Sequence, residues 1–131
     1  EVTPGDDLEI GPFRAQTRLL PHWLPDAGLR LSAGGRVLAY TGDSGPSPEV
    51  VALAREVDVL LAEASFVEEV PGDVRGYLAS ARDAGRQAAE AGAGKLVLTH
   101  LMHGTDPDAA VAAAAREYGG ALSVATPDLV I

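Results

Sequence analysis

The sequence predicts an α/β domain in which a β-meander precedes alternating helices and strands. Three observations predict it. Phe13, Ala15, Thr17 and Leu19 alternate with Arg14, Gln16 and Arg18, the period of a strand with one wet face. Apolar runs at 37–40, 57–62 and 95–99 are short enough for buried strands, and helix-capping residues lie between them. The first of these runs stops at Thr41-Gly42-Asp43-Ser44-Gly45-Pro46, a tight loop with Asp43 at its tip. A strand–loop–helix–strand unit holds such a loop at the carboxyl end of its strand, where α/β sheets keep their chemistry.

Taken in order, residues 1–12 carry the turn signal Pro4-Gly5-Asp6 and a short strand candidate before Gly11-Pro12. Pro21 ends the strand at 13–20, and residues 21–27 read as a proline-bounded loop. Alternation resumes at 29–33, and Ala33-Gly34-Gly35-Arg36 is a hairpin turn into the central strand. Ser47, Pro48 and Glu49 supply an N-cap, an N1 proline and a first-turn acid for a helix to about residue 55. Residues 67–76 form an acidic loop, long enough to be mobile or to cover something. Ser80-Ala81-Arg82-Asp83 fits a capping box, and Ala81, Ala84, Ala88 and Ala91 make a small-residue stripe suited to close packing on a sheet. Gly92 and Gly94 end that helix. Asp106-Pro107 opens a last helix to about residue 118, with Ala110, Val111, Ala114 and Ala115 inward, and a final strand follows at 121–125. The right-handed crossover rule puts these later helices on one face, with the meander packing on or extending the other side.

Composition narrows the function. The 131 residues are 47% hydrophobic, enough for a core and for one domain or part of one. Net charge is −9, which disfavours a broad nucleic-acid surface without excluding a local basic groove. The absence of cysteine removes disulfides and thiolate metal sites. No apolar run approaches the roughly 18 residues of a membrane span, and nothing reads as a signal peptide, so a cytoplasmic protein without membrane contact is expected. The chain begins at Glu1 inside a turn-like stretch, which suggests a piece of something longer.

His22, Asp43 and His100 each fall just past a strand's carboxyl end. Three such residues can converge on one rim of a sheet, and imidazole with carboxylate oxygen suits zinc, manganese or iron. Individually each also fits a turn or cap residue. Their repeated placement favours the metal reading.

Thr41-Gly42-Asp43-Ser44 after a buried strand, LLAEASF at 60–66, LTH at 98–100, and His22 followed by Gly28-Leu29-Arg30 together resemble the C-terminal half of the metallo-β-lactamase superfamily. The sequence is similar to its ribonuclease Z-like branch of metal-dependent hydrolases, over about residues 13–131. The resemblance implies half of an αβ/βα fold and two divalent metal ions, zinc or alternatively manganese or iron. It implies that His22 and His100 each ligate one ion, that Asp43 bridges them, and that Glu63 is an acidic residue supporting the ligands. It further implies a metal-activated water attacking a phosphodiester or related ester. Two departures stand beside it. The family's His-x-His-x-Asp-His motif, with its proton-handling aspartate, is absent from these residues. The histidine that ribonuclease Z carries near the helix after the acidic loop is replaced by Tyr77-Leu78-Ala79-Ser80.

The expectation is therefore a single partial domain, 1–131, contributing part of a dinuclear hydrolase site and inactive by itself. Its partner would be the missing N-terminal half or a second chain, with a homo-oligomer expected. Small esters or phosphodiesters are favoured over nucleic acid as substrate. His103 fits solvent or substrate contact, and Trp23, Leu24 and Phe66 could line an apolar pocket or belong to the core. The alternative is a non-catalytic binding or structural α/β domain without metal, with Asp43 and the histidines as turn residues.

Overall fold

A computed structural model describes residues 3–131; Glu1 and Val2, part of the turn-like start, lie outside the described residues. One seven-stranded sheet runs in chain order: β1 (Asp7–Ile10), β2 (Phe13–Leu20), β3 (Asp26–Ala33), β4 (Arg36–Tyr40), β5 (Val59–Glu63), β6 (Lys95–Thr99) and β7 (Ala121–Val124). β1 to β4 pair antiparallel as the meander, and β4 to β7 pair parallel. The meander thus extends the parallel sheet edgewise through β4. The parallel strands are joined by crossovers that contain α1 (Pro48–Leu53), α2 (Ala81–Ala91) and α3 (Pro107–Ala115).

The caps named by the sequence are made. Ser47 accepts the Val50 N–H, and Ser80 and Asp83 form a reciprocal capping box. Each such cap stabilises its helix by about 0.5–2 kcal/mol. Ala81, Ala84, Ala88 and Ala91 are buried as the small-residue stripe requires. They share one apolar cluster with Ala39, Leu60, Ala62, Leu96 and Leu98 of the sheet. Gly85 lets α2 touch α3, since a Cβ there would sit 2.5 Å from the Ala114 carbonyl oxygen. The Tyr118 hydroxyl closes the far end of this layer by donating to the Ala93 carbonyl at 2.7 Å.

Several boundaries differ from expectation, those of β3 and α1 for a tertiary reason. β3 starts at Asp26, because the antiparallel ladder continues to the Leu20–Asp26 pair and shortens the preceding loop to residues 21–25. α1 stops at Leu53: the Arg30 guanidinium crosses from β3 and donates to the carbonyls of Leu53 and Arg55 at 2.8 and 2.9 Å. A long-range side chain thereby closes the helix end. β5 begins at Val59 and takes in Glu63. α3 ends at Ala115, which is exposed, while Ala110, Ala113 and Ala114 face inward at i, i+3 and i+4 and Val111 is only half-buried. β7 ends one residue early, at Val124.

The opposite sheet face is different. Leu31, Leu38 and Val59 are only half-buried there, and Phe13 is 45% exposed. Among the described residues, no helix is long and apolar enough to cross a membrane.

Candidate metal centre

The loops that leave β2, β4, β5 and β6 meet at one edge of the sheet. Thr41 follows β4, and its N–H donates to the Leu61 carbonyl at 3.1 Å while its Oγ1 accepts the Glu63 N–H at 3.1 Å. Gly42 then takes φ +62°, a conformation natural to glycine. A Cβ at Gly42 would lie 2.6 Å from an oxygen of Asp26. Glycine therefore does two things here: it turns the chain and it admits the Asp26 carboxylate. Asp43 comes next and is half-buried.

Glu63 organises this edge. It is 1% exposed, and its oxygens accept from the Ser44 N–H at 2.5 Å, the Ala79 N–H at 3.1 Å and the Ser65 hydroxyl at 2.7 Å. Its carboxyl is raised from the ordinary value: burial is the largest cause, and these three hydrogen bonds and the nearby His100 offset it only in part. Two of the three donors are backbone N–H groups that can only donate, so the arrangement suits an ionised carboxylate. One carboxylate thus fixes the Asp43 loop, the segment entering α2, and Ser65.

His100 is the first residue after β6 and sits at φ +56°, a left-handed conformation uncommon for a side-chain-bearing residue. Its Nδ1 lies 2.9 Å from Ser65 Oγ and 3.7 Å from Asp43 Oδ1. One ligand atom from each of Asp43, Glu63 and His100 falls within 4.8 Å of the others.

His22 lies outside that group, on the adjoining five-residue loop. The Pro21 carbonyl accepts the Gly45 N–H at 2.9 Å, which ties this loop to the Asp43 loop. His22 Nδ1 is 3.0 Å from the Tyr77 carbonyl oxygen. A carbonyl only accepts, so Nδ1 carries the hydrogen and Nε2 keeps a free lone pair. An imidazole held by its other nitrogen to a carbonyl is the form that metal-ligating histidines take. Oxygen and imidazole donors gathered on one rim therefore fit a divalent cation. Among the described residues, Asp43, Glu63 and His100 are the donors that lie close enough together for one ion, with His22 outside that group on the adjoining loop.

Asp26 was not singled out from the sequence. It opens β3 directly opposite Leu20, one of its oxygens is buried without a hydrogen-bond partner among the described residues, and its carboxyl is raised, by burial first and by Asp43, with His22 opposing. Its only sequence signal was its place four residues after His22. Trp23 and Leu24 are exposed, at 54% and 66%, and so are not core residues. Trp23 lies against His22 in a tilted pair with ring centroids 4.4 Å apart and meets Tyr77 edge-on at 5.6 Å. Phe66 is half-buried and His103 is exposed beyond His100.

This fold is an α/β sheet that gathers carboxylate and imidazole donors at the carboxyl ends of its strands, and comparison with known proteins says to which family it belongs. The family model described as "Beta-lactamase superfamily domain" matches residues 1–101, and the chain belongs to that family, the metallo-β-lactamase superfamily. Its similarity is to the ribonuclease Z-like metallo-hydrolases. YhfI of Bacillus subtilis is 34% identical over 100 residues, covering 76% of this chain and 41% of that protein. The crystal structure of YhfI, a metallo-β-lactamase fold protein, superposes with TM-score 0.88 at 30% identity and covers 95% of this chain and 52% of that one. Ribonuclease Z of Myxococcus xanthus is 40% identical over 104 residues, 77% of this chain and 34% of that protein. Zn(2+)-bound PqqB from Methylobacterium extorquens shares the fold with TM-score 0.76 at 17% identity, over 98% of this chain and 53% of that one. The chain spans roughly two-fifths of the length of the curated relatives it matches.

Proposed function

We propose that this chain supplies one part of the metal site of a hydrolase acting on phosphodiester or related ester bonds. The observation that carries the reading is the rim itself, where Asp43 and His100 converge and His22 stands on the adjoining loop with its Nδ1 already engaged. In this reading His22, Asp43 and His100 are ligands, and Glu63 supports them by holding the Asp43 loop and Ser65. Two divalent ions, zinc in the first instance, would when bound lower the pKa of a water and offset charge developing on the substrate's oxygens. The chain's own contribution is to hold two imidazoles and a carboxylate in fixed orientation.

The rest of the site, including the residue that handles protons, is proposed to come from the remainder of the same domain or from a second chain, in a homo-oligomer. The half-buried Leu31, Leu38 and Val59 on the open sheet face support that placement. The substrate is proposed to be a small ester or phosphodiester, as Tyr77-Leu78-Ala79-Ser80 lacks histidine and the charge is acidic. A cytoplasmic location belongs to the same proposal and is checked by fractionation.

The test is hydrolysis of a chromogenic phosphodiester by the complete protein, before and after chelation. Activity that disappears with chelator and returns with added zinc or manganese supports the reading. Activity indifferent to chelator, or absent with metal and substrate saturating, contradicts it.

A further inference from the structure

Ser65 has one hydroxyl proton and three neighbours that compete for it. Glu63 Oε1 is 2.7 Å away, His100 Nδ1 2.9 Å and the His100 carbonyl oxygen 3.4 Å. Ser65 and Glu63 are each 1% exposed, so water does not arbitrate. The carboxylate is the shortest and the charged acceptor, and hydrogen bonds to ionised acceptors are about twice as strong as neutral ones. Were the proton turned toward His100, a hydroxyl lone pair would face a carboxylate oxygen at 2.7 Å with nothing between them. The proton therefore goes to Glu63. Ser65 Oγ can then only accept from His100, so Nδ1 must be the imidazole nitrogen that carries hydrogen.

We propose that Ser65 is a positioning residue: anchored by the buried Glu63 carboxylate, it fixes His100 as the Nδ1–H tautomer and so leaves Nε2 as the ring nitrogen with a free lone pair. The role deepens the reading of the preceding subsection and rests on it for its consequence. The same outcome is reached at His22 by the Tyr77 carbonyl. The two histidines are thus set to one tautomer by unrelated devices, a backbone carbonyl in one case and a carboxylate–hydroxyl relay in the other. The relay reaches His100 at a left-handed backbone position just past the end of β6.

The experiment is long-range 1H–15N correlation on the complete protein labelled with 15N at histidine. It is run metal-free at about pH 8, above the ordinary imidazole pKa, with His100 assigned from the spectrum of His100→Gln. The expected result is His100 protonated at Nδ1. Ser65→Ala is expected to shift it toward the Nε2–H form that free histidine favours in water, and Ser65→Thr to restore the parent tautomer. Wild-type His100 protonated at Nε2 overturns the proposal whatever the variants do. An unchanged tautomer in Ser65→Ala also overturns it, assigning the role to Asp43, whose Oδ1 is 3.7 Å from the same nitrogen. Calorimetric titration with Zn2+ alone is the second arm. Loss of a partner that orients a ligand lowers affinity by about 10–100-fold, and equal affinity in Ser65→Ala overturns the role. A wild-type protein that binds no metal contradicts the proposed function instead, and the tautomer spectra still decide the assignment of Ser65.

Discussion

Ser44 donates its backbone N–H to the buried carboxylate of Glu63 at 2.5 Å, joining the loop after β4 to the end of β5. That bond holds the residue next to Asp43, so the position of the candidate ligand depends on a side chain one strand away. Glu63→Ala removes the acceptor of two backbone N–H groups, those of Ser44 and Ala79, and of the Ser65 hydroxyl. A buried donor left unsatisfied costs about 1–3 kcal/mol. Glu63→Ala is expected to lose at least about 2 kcal/mol in urea unfolding, and to broaden amide signals of the 41–45 loop. A stability within experimental error of wild type would show that Glu63 anchors nothing.

Gly42 is predicted to be irreplaceable even by alanine. The φ of +62° strains any L side chain, by about 1–2 kcal/mol, and the new methyl would displace the Asp26 carboxylate. Urea unfolding of Gly42→Ala measures the loss. The companion variant Asp26→Ala/Gly42→Ala is expected to recover the steric part and keep the backbone part.

Arg30 belongs to the Gly-Leu-Arg motif after His22, which invites a functional reading, yet its guanidinium is spent on the carbonyls of Leu53 and Arg55. Arg30→Ala is therefore predicted to lower stability by about 1.5–3 kcal/mol, the range for hydrogen bonds to charged groups. Metal content per folded chain should stay unchanged. A loss of metal at unaltered stability would reverse that assignment.

Asp58 provides a pH dependence away from the rim. Its carboxylate accepts the Val37 N–H at 2.7 Å and the Arg36 guanidinium at 2.8 Å, and these lower its pKa below the ordinary value. A depressed folded-state pKa stabilises the fold above the unfolded-state value, and that contribution is lost as pH falls through the folded one. The window is therefore acidic, from about pH 4 downward. Asp58→Asn is expected to flatten stability against pH in that window, which thermal unfolding across a buffer series reads directly.

These relationships also explain what could be read from the sequence alone. The placement of His22, Asp43 and His100 just past strand ends was legible because each follows a strand whose hydrophobic pattern is local. The capping box of Ser80 and Asp83 and the alanine stripe of α2 were legible for the same reason. Asp26 was not, because its place depends on the hairpin register that pairs it with Leu20. The end of α1 was missed because Arg30 closes it from 23 residues away in sequence. Glu63 was flagged as a supporting acid, but nothing local announces the three donors that meet it. Ser65 was only a letter in LLAEASF until β5 and β6 lay side by side.

Metal content tests the central claim most directly. Zinc and manganese per chain would be measured by elemental analysis on the complete protein and on His22→Ala, Asp43→Ala and His100→Ala. Near-stoichiometric metal in the parent, reduced in all three variants while each remains folded, is the predicted result. Metal retained undiminished in the variants, or none bound by the parent at saturating concentration, would contradict a centre built on these three residues.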